Sequence, residues 1–223
     1  MSPIHKSSPA PSQQQLWNAI RAALISARKG SPIERVSRAM VLPIAYAQQR
    51  FWFMEQLAPG TFVNNLTTAF ELTGQLDVLV LERSLGEIFR RHEILRTTFP
   101  LRDGKSTQSI DLDLKFSLPI IDLQELPAIE RAAAARRVFT QLAEQPFNLA
   151  VESSFRVQLI RLAPSVHQII VVMHHIICDG LSIEIFFKEL ALIYTAFSTD
   201  KPSPLVDLKS LMQNMNSDVM QQW

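Results

Sequence analysis

Apolar residues recur at helical spacing in several stretches. Between Gln13 and Lys29 they fall at Leu16, Ile20, Ala23, Leu24 and Ala27, which predicts a helix stopped by Gly30. A second helix is expected from about Ile44 to Leu57, ended by Pro59-Gly60, and a third from an N-cap at Asp77 through Arg91. The Ala- and Arg-rich run from Leu126 to Gln145 predicts a fourth, stopped by Pro146, and Leu181 to Phe197 a fifth. Strand patterns lie between them. Leu66 to Leu72 leads to Gly74, and Thr97 to Leu101 turns at Asp103-Gly104 to a partner within Thr107 to Phe116. Phe155 to Leu162 and His167 to His174 predict a hairpin. Gln168 to Met173 is apolar at successive positions, so its strand should be central and covered on both faces.

Helices and strands therefore intermingle, with sequence-adjacent antiparallel pairs. This predicts an α+β layered sandwich: one mixed, mostly antiparallel sheet covered on one side by helices. A chain of 223 residues suffices for one large domain or two small ones. Met1 to Ser12, rich in Ser and Pro, is expected to be a disordered tail and not a signal peptide. Residues 13–41 are expected to be a helix and linker, and residues 42–223 the folded lobe.

Lys plus Arg number 22 and Asp plus Glu 21, which gives no electrostatic footprint for nucleic acid or an anionic membrane. The lone cysteine, Cys178, excludes an internal disulfide. The longest apolar run is too short to span a bilayer as a helix, and the expected location is the cytoplasm. Six glycines leave little room for a phosphate-binding loop.

The candidate chemistry lies at Met173-His174-His175-Ile176-Ile177-Cys178-Asp179-Gly180, where a buried strand gives way to a helix. Consecutive strand residues point to opposite faces, so one imidazole should meet the core and the other a crevice. Imidazole can take a proton from an amine or hydroxyl attacking an acyl carbon. Asp179 would serve as an anchor if a cation met it, with Arg91 and Arg96 as the candidates. Gly180 would permit a tight turn and close backbone approach. The bland reading of such a histidine pair is a satisfied core or surface position. A metal site is disfavoured, because the remaining histidines lack ligand spacing. Cys178 reads as a small buried hydrophobe, not a nucleophile.

His174-His175-x-x-x-Asp179-Gly180 resembles the HHxxxDG signature of the condensation domains of nonribosomal peptide synthetases and their acyltransferase relatives. Ala47 to Phe53 resembles the family's AQxRLWxL motif, Arg91 to Phe99 its RHExLRTxF motif, and Gln145 to Leu149 the segment before its strand pair. The aromatic side chains Phe51, Trp52 and Phe53 are read as packing, not chemistry. The resemblance implies a chloramphenicol-acetyltransferase-like fold of two lobes, of which this chain is the N-terminal one, with the C-terminal lobe absent. It implies amide-bond formation between acyl and aminoacyl thioesters delivered by donor and acceptor carrier proteins. It implies that the lobe itself binds no cofactor and that substrates arrive on phosphopantetheine arms. Besides the two carrier proteins, the implied partners are the C-terminal lobe and adjacent synthetase domains, with no nucleic acid and no membrane. His175 is implied as the catalytic residue, supported by His174, Asp179 and Gly180, with Asp179 buried against Arg96 in preference to Arg91. Leu181 and Ala45 depart from the family's common Trp and Ser, and Asn216 to Trp223 matches a later motif poorly. An ester-forming or free-standing acyltransferase, and a non-catalytic lobe that docks a carrier protein, are the alternatives. The isolated lobe is expected to be folded and nearly inactive.

Overall fold

A computed structural model describes residues 41–113 and 115–206, with Leu208, all within one unit spanning Ser37–Ser210. The helix expected over 13–29, the N-terminal tail and Trp223 lie outside the described residues. In chain order the elements are β1 (Leu42–Pro43), α1 (Tyr46–Leu57), β2 (Asn65–Thr73), α2 (Val78–Arg91) and a 3-10 turn (Glu93–Arg96). The strands β3 (Thr97–Thr98), β4 (Leu101–Arg102), β5 (Lys105–Ile110) and β6 (Ile120–Asp122) follow, then α3 (Ala128–Glu144), β7 (Phe155–Ala163), β8 (Val166–His174) and α4 (Gly180–Phe197).

The main sheet has the order β2-β8-β7-β6. β8 is antiparallel to both neighbours, and only β6 runs parallel to β7. A smaller sheet joins β1, β5 and β3, with β4 turned back on β5 through Asp103-Gly104. Both turn residues have positive φ, 51° and 71°. That is the demand of a two-residue hairpin loop, which an Asp-Gly pair meets at low cost.

β8 is central, as its unbroken apolar run predicts. Its side chains alternate between two cores. Ile169, Val171 and Met173 pack with Leu81, Leu85 and Ile88 of α2 and Phe186, Leu190 and Ile193 of α4. Ile170 and Val172 pack on the opposite face with Ala135 of α3, with Phe147 and Phe99, and with half-buried Phe51 and Trp52 of α1. The α+β sandwich is thus as expected, but helices cover both faces of the sheet and not one. The reason is in β8 itself: a strand apolar at successive positions has two faces to remove from water. α2 begins at its expected cap, where Asp77 Oδ1 accepts from Val80 N at 3.0 Å.

Candidate active site

β8 ends at His174, and a turn over residues 175–177 leads through Cys178 and Asp179 into α4. Neighbouring backbone holds both histidines. His174 N donates to Ser154 O at 3.0 Å, and His175 N donates to Asn64 O at 2.8 Å.

The two rings carry opposite tautomers. His174 is 1% exposed, and its Nδ1 lies 3.0 Å from Ile176 N. A backbone N–H can only donate, so Nδ1 accepts and Nε2 bears the proton of the neutral ring. Burial, and then the adjacent His175, push the His174 pKa down to about 4, so the ring is neutral near pH 7. His175 is half-buried, and its Nδ1 lies 3.2 Å from the Cys178 carbonyl oxygen. A carbonyl can only accept, so Nδ1 bears a proton, and in the neutral ring Nε2 then keeps its lone pair. That is the form needed to accept a proton.

Phe51 of α1 is central to this arrangement. Its ring stacks on His175 with centroids 5.4 Å apart and planes 2° apart, and it meets His174 edge-on at 6.4 Å. The Arg50 guanidinium lies 4.4 Å from the centroid of the same ring. Reading Phe51 as packing alone therefore missed its contact with both candidate histidines. The missing signal was tertiary, because nothing in the spacing of residues 51 and 175 pairs them. Strand alternation also gave the wrong account of the histidines. The strand stops at His174, and the turn sends the His175 ring to the very phenyl group that borders His174.

Other bonds tie the motifs together. Gln48 Nε2 donates to Ile176 O at 3.2 Å, and Trp52 Nε1 donates to Phe99 O at 3.1 Å. α1 is thereby fastened to the histidine turn and to the end of the Arg91–Phe99 segment. Gln48 Oε1 also accepts from Ala45 N at 2.9 Å, which satisfies the start of α1 where Ala45 has no capping oxygen.

The expected role of Asp179 is corrected. Its carboxylate is exposed and, among the described residues, pairs with no arginine; it caps α4. Asp179 Oδ1 accepts from Ser182 N at 2.8 Å and from Ser182 Oγ at 2.6 Å. These bonds, the Ser182 hydroxyl first, hold its carboxyl below the usual range. The strand-to-helix junction explains the difference: an Asp immediately before a helix finds free N–H groups closer than any distant cation. Arg96 instead donates to Asp111 O at 2.7 Å. Arg91 is clamped to Glu189 of α4 at 3.2 Å, and His92 Nε2 meets the other oxygen of Glu189 at 2.7 Å. The carboxylate that answers the arginine is thus Glu189. The sequence offered one signal for it, a charged residue next to Leu190 on the inner side of α4.

Gly180 is the first residue of α4, and a Cβ added there would meet no atom within 4 Å. The close approach expected at Gly180 is therefore not made by this chain's own backbone. Cys178 is buried, and burial followed by the Asp179 charge pushes its thiol up to about 12, in keeping with a small core residue. Among the described residues no cluster of three His, Cys, Asp or Glu side chains is disposed to hold a metal ion. Nor is any described helix long and apolar enough to cross a membrane.

Residues 38–214 match the family described as Condensation domain. The chain belongs to the condensation domain family. It is 40% identical to the chondramide synthase cmdD of Chondromyces crocatus over 177 residues, 79% of this chain and 4% of that protein. It is 40% identical to the bassianolide nonribosomal cyclodepsipeptide synthetase of Beauveria bassiana over 152 residues, 68% of this chain and 5% of that protein. The starter condensation domain of rhizomide synthetase RzmA superposes with a TM-score of 0.70 at 26% identity, over 82% of this chain and 44% of that one. The chain thus spans a few per cent of these synthetases and less than half of the solved domain. The chloramphenicol-acetyltransferase-like fold expected from the motifs is the fold of the family to which it belongs.

Proposed function

We propose that this chain supplies the histidine-bearing lobe of a domain that forms an amide bond between a carrier-bound acyl thioester and the amine of a carrier-bound aminoacyl thioester. The observation that carries the reading is the 3.2 Å contact of His175 Nδ1 with the Cys178 carbonyl oxygen, which in the neutral ring leaves the Nε2 lone pair for a proton. The amine nitrogen attacks the thioester carbon, the N–C bond forms, and the carbonyl electrons pass to oxygen. A proton leaves the nitrogen for His175 Nε2. The oxyanion then collapses, the C–S bond breaks, and the thiolate leaves with the proton that His175 returns. Stacking on Phe51 holds the imidazole plane while its Nε2 edge works.

His174 has a structural part in this reading: its neutral ring fixes the turn through Ile176 N. Asp179 aligns the first turn of α4, and Gly180 leaves room beside it for a substrate backbone. Arg91 and Arg96 act at a distance by bracing α2 and the segment after it. The partners in this reading are donor and acceptor carrier proteins, a second lobe that closes the site, and adjacent synthetase domains, in the cytoplasm. The acyl groups come as substrates on phosphopantetheine arms, and the lobe binds no cofactor.

The test is amide formation by the full-length polypeptide with both loaded carriers, read by mass spectrometry of the released thioester. His175→Ala is expected to lose about 10²-fold or more in rate with folding intact. Full activity in His175→Ala would overturn the assignment. A second reading, ester formation on an alcohol acceptor, is supported by the likeness to a cyclodepsipeptide synthetase. The same base serves either acceptor, so offering hydroxyacyl and aminoacyl carriers in competition separates the two.

A further inference from the structure

Three side chains lie at one rank across the main sheet. Asn65 of β2 is directly opposite His174 of β8. On the other side the β7–β8 register, Phe155 against Met173, continues by one residue to place Ser154 opposite His174, and the bond from His174 N to Ser154 O confirms it. Directly opposed residues of antiparallel strands project to the same face with Cβ atoms about 4.5–5.5 Å apart. Here that face is the one covered by α3. The His174 ring meets Phe147 edge-on at 6.2 Å on that side, and Asn65 Nδ2 donates to Ala143 O and Gln145 O at the end of α3, at 2.8 and 3.0 Å.

Each of the three presents one buried polar atom with no hydrogen-bond partner among the described residues: Asn65 Oδ1, His174 Nε2 and Ser154 Oγ. Ser154 is wholly buried and His174 is 1% exposed. The set is chemically complementary. The tautomer of His174 makes Nε2–H a donor. Both Asn65 amide protons are committed to α3, so its Oδ1 is an acceptor. The Ser154 hydroxyl serves as either. Unsatisfied buried groups are costly, and a buried water is held where about two to four polar partners converge.

We propose that Asn65 and Ser154 are positioning residues that hold the His174 imidazole, and through it the turn bearing His175, by way of one bound water shared among these three atoms. The line of force runs from the C-terminus of α3 through Asn65 and the water to His174, then from His174 Nδ1 to Ile176 N in the turn. Satisfied in this way, His174 keeps both ring nitrogens bonded. Loss of one water ligand frees the ring to rotate and slackens the turn, without touching the atoms that meet substrate.

The test uses the full-length polypeptide with 15N-labelled histidine. The parent is expected to show His174 as the Nε2–H tautomer from pH 5 to 8, with a slowly exchanging Nε2 proton that cross-relaxes with a long-lived bound water. Ser154→Ala leaves the α3 contacts of Asn65 alone. It should speed exchange of that proton and lower kcat about tenfold with KM unchanged. The Nδ1–H tautomer, or an Nε2 proton without a long-lived water, overturns the proposal, as does Ser154→Ala with parental exchange or parental kcat. If Ser154→Ala does not fold, the parent's tautomer and water signal decide alone. The activity arm rests on His175 as the base, whereas the spectroscopic arm does not, so failure of that assignment is distinguishable from failure of this one.

Discussion

Glu189, and not Asp179, is the carboxylate that meets Arg91, in a pair largely shielded from water. The pair Arg91–Glu189 has side-chain exposures of 6% and 13%, and His92 adds a 2.7 Å contact to the same carboxylate. Removing one member of such a pair leaves a charge in a low-dielectric site, at a typical cost of about 3–5 kcal/mol. Arg91 Nη1 also donates to Val206 O, so Glu189→Ala leaves it one acceptor and the loss should fall near the lower limit. With a urea dependence of about 2–3 kcal/mol per molar, a loss of about 3 kcal/mol moves the midpoint down by about 1–1.5 M. Asp179→Ala removes only an exposed cap and should move it far less. The assay is urea unfolding followed by tryptophan fluorescence and circular dichroism on the parent and both variants. A Glu189→Ala midpoint equal to the parent, or an Asp179→Ala shift as large as that of Glu189→Ala, would refute the assignment.

Stability should also depend on the neutral His174. Its folded pKa is depressed, so as pH falls below about 6.5 the unfolded chain binds the proton first, and stability declines until about pH 4 and then levels. The expected loss from this group is about 3 kcal/mol, and His174→Gln should flatten that part of the pH profile; an unchanged slope would refute it. Cys178 should react with an aromatic disulfide reagent at pH 8 only after denaturation, and rapid labelling of the native protein would contradict its burial. Gly180→Ala should keep the fold, with stability unchanged or raised by up to about 1 kcal/mol, because the added methyl meets nothing and alanine suits a helix. Its turnover should nevertheless fall, and full turnover would show that no substrate approaches Gly180.

The local periodicities along the chain determined the helices α1 to α4, the β7–β8 hairpin and the central place of β8. Each depends on residues near in sequence: a helical stripe with a cap at Asp77, the short Pro164-Ser165 turn, or an apolar run with no polar face to show to water. The motif residues were equally legible, because the turn after β8 is one short segment. What they contact was not. Phe51 reaches His175 across 124 positions, Gln48 reaches Ile176 across 128, and Arg91 reaches Glu189 across 98, so only the docking of α1 and α4 on the sheet decides these partners. Asp179 shows the converse. An expectation of a distant ion pair gave way to a cap three residues away, because free helix N–H groups next to a carboxylate cost no chain closure to reach. Short β6 was invisible for a related reason: three residues carry no period, and its parallel pairing with β7 exists only once α3 has crossed back over the sheet.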